Sequence, residues 1–180
     1  MTLVSTRRAY AGKIIHVDID TVRFPNGSTG DLEMVRHPGA AAVLPFLTDP
    51  HGDDPQILLI RQFRHAANGY VYEIPAGRLD EGEDPRACAA RELKEETGCT
   101  AARLEPLTSF FTTPGFTDER IHAFMASELT RGEAAQEQDE FMTLDPTPMS
   151  RALEMIRTGE LNDAKSALTI LYAAGFKLGK

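Results

Sequence analysis

The stretch Asp84-Pro85-Arg86-Ala87-Cys88-Ala89-Ala90-Arg91-Glu92-Leu93-Lys94-Glu95-Glu96-Thr97-Gly98 decides how this chain is read. Asp84 can cap a helix, Pro85 fits its first position, and Gly98 stands where the chain should leave it. On that helix Glu92, Glu95 and Glu96 occupy i, i+3 and i+4, and all three fall within about 100° of arc. Like charges at i, i+4 cost about 0.2–0.5 kcal/mol per pair. They also crowd the last turn, where the helix dipole disfavours anions. Cys88 and Ala89 lie toward the same face and are short, which leaves room above it. A hard divalent cation would offset the crowding. Mg²⁺ takes carboxylate oxygens at about 2.1 Å and shares its other positions with water and substrate phosphates. The alternative is a solvated acidic face.

Outward from the helix the chain alternates short apolar runs with turn signals. Residues 14–24 put Ile15, Val17 and Ile19 on one face of a half-buried strand, with Val22 and Phe24 following after a phase shift. Pro25-Asn26-Gly27 marks a turn, and Leu32, Met34 and Arg36 form a partner strand. Residues 1–36 are thus expected to be a small antiparallel unit that must pack on something, with 37–180 as the main domain. Ala41–Leu47, Ile57–Phe63 and Tyr70–Ile74 read as strands, as do Arg103–Phe111, Ile121–Glu128 and Phe141–Leu144. Residues 132–140 read as a loop, and Ser150–Arg157 and Asp163–Lys177 as helices. Strands interrupted by a few helices predict a mixed α/β sandwich.

Composition narrows the function classes. The chain has 180 residues, 19 Lys plus Arg, 27 Asp plus Glu and a net charge of −8. That balance argues against a duplex nucleic-acid partner, which needs a basic face, and against an anionic membrane surface. No apolar run approaches a membrane span of about 20 residues. Met1–Arg8 lacks the apolar segment of a signal peptide. Cys88 and Cys99 are too few for a disulfide scaffold or a four-thiolate zinc site and read as buried small residues. A reducing, cytoplasmic setting is expected. No phosphate-binding Gly-x4-Gly-Lys loop, Gly-x-Gly-x-x-Gly turn or Gly-x-Ser-x-Gly elbow occurs, and the histidines show no paired metal spacing.

The surroundings of the helix carry a longer pattern. Gly77 is followed by five residues and Glu83, then by seven residues and Arg91-Glu92-Leu93-Lys94-Glu95-Glu96-Thr97-Gly98-Cys99. This resembles the signature of the Nudix hydrolases, Gly-x5-Glu-x7-Arg-Glu-U-x-Glu-Glu-x-Gly-U, with U a bulky aliphatic residue. Leu93 fits the first U and Cys99 departs from the second. Further segments resemble the ADP-ribose pyrophosphatase subfamily: Gly12–Ile15, His37-Pro38-Gly39, Arg61–Arg64, Glu73–Gly77, Thr113–Glu119 and Gly159–Lys165. The resemblance covers about residues 10–175. It implies an α/β/α sandwich with a mixed sheet, preceded by a small N-terminal antiparallel β unit that serves as a dimerisation or lid element. It also implies divalent-metal hydrolysis of ADP-ribose to AMP and ribose 5-phosphate, with Mg²⁺ or Mn²⁺. Related enzymes are homodimers that exchange N-terminal strands.

By that resemblance Glu92 and Glu96 are the principal metal ligands, Glu95 is a further ligand or orienter, and the carbonyl of Ala76 completes the site. Glu83 and Arg91 are expected to form an ion pair that fixes the loop. The base is expected in Glu137-Gln138-Asp139-Glu140, with Glu140 favoured as base or ligand and Glu137 and Asp139 behind it. Related sequences often carry an acid at the place of Gln138. Arg61 and Arg64 are candidates for the diphosphate, since a guanidinium fork matches phosphate oxygens. In a regular strand they face opposite sides, and either can be a surface arginine. Glu73, Thr113, Pro114, Gly115 and Glu119 complete the substrate set. The alternatives are an ion pair of Glu73 with an arginine and a plain turn at 113–115. Phe110, Phe111 and Phe116 are expected to pack in the core rather than stack on adenine. Other expectations compatible with the signature are GDP-mannose or a dinucleotide as substrate, or an ADP-ribose-binding module without catalysis.

Overall fold

The computed structural model describes residues 1–132 and 142–179. They form two compact units: Met1–Gly39 with Phe110–Ile121, and Ala40–Ser109 with His122–Lys180.

In the first unit β1 (Thr2–Ala11), β2 (His16–Arg23) and β3 (Thr29–Arg36) form an antiparallel sheet in that order. The Pro25-Asn26-Gly27 turn joins β2 to β3, with Phe24 N–H donating to the Ser28 carbonyl at 2.8 Å. Every residue of β1 is exposed. Sequence patterning misses this strand because its residues do not alternate toward a core. Pairing with β2, from Thr2↔Arg23 to Ala11↔His16, holds it.

The expected inward face of β2 is corrected. Val17 and Ile19 are only half-buried and Ile15 lies outside the strand, while Asp18, Asp20 and Val22 are buried. Two acids can face inward because arginines meet them. Asp18 pairs with Arg8 and Arg36, and Asp20 pairs with Arg36 and accepts from the Thr6 hydroxyl at 2.8 Å. The Arg8 guanidinium holds the Asp18 carboxyl below its ordinary range, with Arg36 helping and burial opposing.

The second unit follows a β-rich order: β4 (Ala40–Pro45), β5 (Gln56–Arg64), β6 (Gly69–Glu73), β7 (Ala76–Arg78), α1 (Pro85–Thr97), β8 (Cys99–Phe111), β9 (Arg120–Arg131), β10 (Met142–Pro148), α2 (Met149–Thr158) and α3 (Ala164–Tyr172). The tips of β8 and β9 belong to the first unit. One sheet runs β7-β4-β9-β8 and another β10-β5-β6. The fold is mixed α/β, as the residue pattern and the resemblance imply. The chain departs from the expected helix 163–177 at Tyr172, beyond which Ala173–Leu178 winds more widely as a π-helical segment.

Strand β4 is the centre of this unit. Ala41 and Val43 join Leu58, Cys88, Ala89, Leu93, Cys99, Leu104, Phe124 and Ala126 in a core cluster under α1. Ala42 and Leu44 point to the opposite face and are fully buried too, and α3 also contacts β4. A strand covered on both faces loses the polar alternation that would mark it. Leu93 is 1% exposed, and a buried leucine is worth about 2–5 kcal/mol against alanine. That packing seats α1 on β4 and β7.

Candidate metal and diphosphate site

The caps of α1 are those its sequence implies. Asp84 accepts from Arg86 N–H at 2.9 Å and Ala87 N–H at 3.3 Å, and Pro85 opens the helix. Gly98 leaves it at φ 71°, donating to the Lys94 carbonyl at 2.8 Å. Leu93 and Ala89 anchor the inner face. With the helix phase set, Glu92 and Glu96 are carried one turn apart into a buried position, at 8% and 3% exposure.

One arginine organises the outer carboxylates. Arg91 meets Glu83 through two parallel bonds of 3.0 Å each, which is the expected loop-to-helix pair. Its Nη1 also reaches Glu92 Oε1 at 2.5 Å and Glu95 Oε2 at 3.0 Å, and its Nη2 donates to the Arg78 carbonyl at 3.2 Å. The Arg91 guanidinium holds the Glu83 carboxyl down at about 2. Glu95 is the most exposed of the three helix acids, with 43% of its side chain in solvent.

The opposite wall is backbone. Ala76 N–H donates to Glu96 Oε2 at 3.1 Å. Gly77 lies so close that a Cβ there would sit 1.9 Å from Glu92 Oε1. Only glycine permits this approach of strand to carboxylate. Beneath, the Cys88 thiol lies 3.6 Å from the Gly77 carbonyl and 3.5 Å from that of Arg78. Burial, then the negative charge of Glu83, pushes this thiol up to about 12. Cys99 is buried as well, so both cysteines are the inert small residues their sequence setting suggests.

A second ion cluster lies in the same unit. Arg64 grips Glu73 with Nε at 2.7 Å and Nη2 at 2.9 Å. Lys165 pairs with the same carboxylate and with Asp163 Oδ2 at 2.9 Å. Asp163 caps α3 through Ser166 N–H at 3.0 Å, and the Ser166 hydroxyl accepts from Ile74 N–H at 2.8 Å. Burial raises the Glu73 carboxyl, but the bonds from Arg64 and Lys165 outweigh it and hold it below its ordinary range. Glu73 raises Arg64 in turn, and so do the charges of Glu96 and Asp163. Arg64 therefore feels both carboxylate groups. Arg61 is exposed, with its guanidinium 4.4 Å above the Tyr70 ring. Glu73 has the arginine partner offered as its alternative reading. Lys165 received no role from the sequence. Its signal is a cation in the first turn of a helix, where the dipole disfavours it.

Glu92, Glu95, Glu96, Ala76, Arg61, Arg64 and Glu73 thus share one unit. Thr113, Pro114, Gly115 and Glu119 belong to the other. There Thr113 closes a turn, its carbonyl accepting from Phe116 and Thr117 N–H at 3.1 Å each. Val35 N–H donates to the Phe116 carbonyl at 2.7 Å, and His37 N–H to Asp118 Oδ1 at 2.9 Å. Glu119 accepts from the Thr112 hydroxyl at 2.9 Å. The expectation of core packing for Phe111 and Phe116 is corrected: they are 52% and 53% exposed, at the turn between β8 and β9. Glu137, Gln138, Asp139 and Glu140 lie outside the described residues.

The donor set suits a hard cation. Glu92 and Glu96 offer carboxylate oxygens on one helix face, and the missing Cβ of Gly77 makes room for the Glu92 carboxylate. Among the described residues no group of three or more His, Cys, Asp or Glu side chains is gathered so that it could hold a metal ion by itself. An open site that leaves positions for water and phosphate oxygens is the arrangement Mg²⁺ accepts. Among the same residues no helix is long and apolar enough to cross a membrane.

Known proteins are similar to this chain. The chain is 40% identical over 171 residues to an ADP-ribose pyrophosphatase of Bacillus subtilis, covering 94% of this chain and 90% of that one. It is 38% identical over 171 residues to a methanol dehydrogenase activator of Bacillus methanolicus, with the same coverage. A crystal structure of an ADP compounds hydrolase superposes with a TM-score of 0.82 at 20% identity, covering 97% of this chain and 92% of that one, which bears on the fold alone. The NUDIX domain model matches residues 37–165. The loop, the capped helix and its carboxylates lie inside that match, and the chain belongs to the Nudix domain family.

Proposed function

We propose that this chain hydrolyses the diphosphate of nucleoside diphosphate sugars, with ADP-ribose as substrate and AMP and ribose 5-phosphate as products. The observation that carries the reading is the buried pair Glu92 and Glu96 held against the Ala76–Gly77 backbone. Glu92 and Glu96, with Glu95 and the carbonyl of Ala76, hold Mg²⁺, or Mn²⁺ in its place. The bound cation supplies charge neutralisation of the diphosphate and a more acidic water. Arg91 keeps Glu83 and the loop in register and restrains Glu92 and Glu95. Arg64 and Arg61 bind phosphate oxygens. Thr113, Pro114, Gly115 and Glu119 contact the rest of the substrate. Glu140, with Glu137 as the next candidate, takes the proton of the attacking water.

The enzyme acts as a homodimer in the cytoplasm, with residues 1–36 as the dimerisation or lid element of the 37–180 domain. The full exposure of β1 and its position at a sheet edge favour that role.

The test is incubation with ADP-ribose, with and without Mg²⁺, followed by separation of products. Glu92→Gln and Glu96→Gln are each expected to lower metal-dependent turnover by about 100-fold or more. If ADP-ribose is not turned over while GDP-mannose or a dinucleotide is, the substrate assignment is wrong. ADP-ribose binding without turnover of any of these would make the chain a binding module.

A further inference from the structure

We infer that Lys165 is a positioning residue for Arg64, acting through the carboxylate they share on Glu73, so that the Arg64 guanidinium stays available to a phosphate oxygen of a nucleoside diphosphate sugar. The inference deepens the proposed function and rests on it.

Arg64, Val71, Glu73, Asn162, Asp163 and Lys165 line a cavity of about 490 Å³. The two cations in it are unequal. Lys165 has 15% of its side chain in solvent and Arg64 has 43%, while Glu73 between them has 3%. The lysine is the inner partner and the arginine the outer one. Glu73 occupies the Nε and Nη2 edge of Arg64, and among the described residues Nη1 has no hydrogen-bond partner. Nη1 is the nitrogen left to meet an incoming anion.

A buried carboxylate with a single cation cannot release it, because an uncompensated buried charge is strongly unfavourable. With Arg64 alone, any swing toward a phosphate would strand Glu73. Lys165 removes that obstacle by keeping Glu73 paired whichever way Arg64 leans. It also balances the cavity, where Glu73 and Asp163 face Arg64 and Lys165. Without the lysine the group would be net negative, in a place where Arg64 already feels Glu96, and would repel a diphosphate. The lysine stands in the first turn of α3, against the helix dipole, and the two carboxylates hold it there.

The test is a double-mutant cycle in the full chain with ADP-ribose and Mg²⁺: wild type, Lys165→Met, Arg64→Ala and the pair, with Lys165→Arg as rescue and Lys165→Gln as a second truncation. Melting temperatures check that each variant is folded. Lys165→Met is expected to raise KM about tenfold with kcat within about threefold, and Lys165→Arg to recover KM to within about threefold. In the Arg64→Ala background Lys165→Met should change KM by less than about twofold. An unchanged KM in Lys165→Met, or an equal change in both backgrounds, overturns the positioning role. If wild type turns over no nucleoside diphosphate sugar, the functional reading fails by itself. The cycle is then read as the Kd of ADP-ribose by calorimetry, with the same tenfold and twofold expectations. Absence of ADP-ribose binding in wild type would overturn both.

Discussion

Two regions of this molecule bury acids, and they do so in opposite ways. On β2, Asp18 and Asp20 face Arg8 and Arg36, and Arg36 also reaches Asp118 at 3.2 Å. Buried charge there is met by arginines and knits three strands to the 110–121 tip. Around α1, Glu83 ahead of the helix shares the Arg91 guanidinium with Glu92 and Glu95, and Glu96 accepts a backbone N–H and interacts with the charge of Arg64. Three carboxylates there meet one guanidinium. The first arrangement sets two arginines against the buried Asp18 and Asp20, whereas the second is the place where, under the proposed function, a cation from outside the chain would bind. Burial of an acid by itself separates nothing; the ratio of acids to cations around it does.

The contrast breaks most directly at Gly77. Gly77→Ala puts a methyl where Glu92 Oε1 now lies. A displacement of about 1 Å in a reacting group can cost about 100-fold, and that loss is expected in kcat/KM, together with weaker Mg²⁺ affinity in calorimetry. Activity within a few-fold of wild type would show that Glu92 does not need its present position. Arg36→Met is the matching change in the other region. It leaves Asp20 without an arginine and Asp18 with Arg8 alone, and is expected to lower the melting temperature by about 5 °C while leaving Mg²⁺ affinity within about twofold of wild type. Loss of metal affinity there would erase the distinction.

The smallest expected effect sharpens the comparison inside α1. Glu83 titrates at about 2 in the folded chain against an ordinary 4.5. Its contribution to stability is therefore full above about pH 4.5 and is lost as pH falls toward 2. Glu83→Gln should melt below wild type at pH 7, and the gap should close across that window. A gap that persists at pH 2 would mean that Glu83 acts by shape and not by charge.

How much of this was legible follows the distance over which each feature is determined. The helix α1 was read correctly to its caps because Asp84, Pro85 and Gly98 act on neighbouring backbone. The crowding of Glu92, Glu95 and Glu96 is equally local. Strand β1 was missed because no residue of it is buried; its cause is pairing with β2, which leaves no periodic trace. Apolar alternation points to the wrong face of β2 because it outweighs two aspartates whose arginine partners lie 10 to 18 residues away. The Glu73–Lys165 pair spans 92 residues, and nothing near Glu73 announces its second cation. The tie of the Thr113–Glu119 segment to β3 is of the same kind, with Arg36 and Asp118 separated by 82 positions.

The setting of Cys88 has a practical consequence. Its sulfur is sealed under β7, the strand that carries Gly77, and the chain's other thiol, on Cys99, is buried too. A thiol reagent in solution meets neither while the helix is seated. Modification then proceeds only when α1 lifts from its strand, so the rate of labelling is a clock for that local opening. Adding a divalent ion or a nucleotide and watching the clock slow would report occupancy of the carboxylate face with no turnover, no chromophore and no engineered probe.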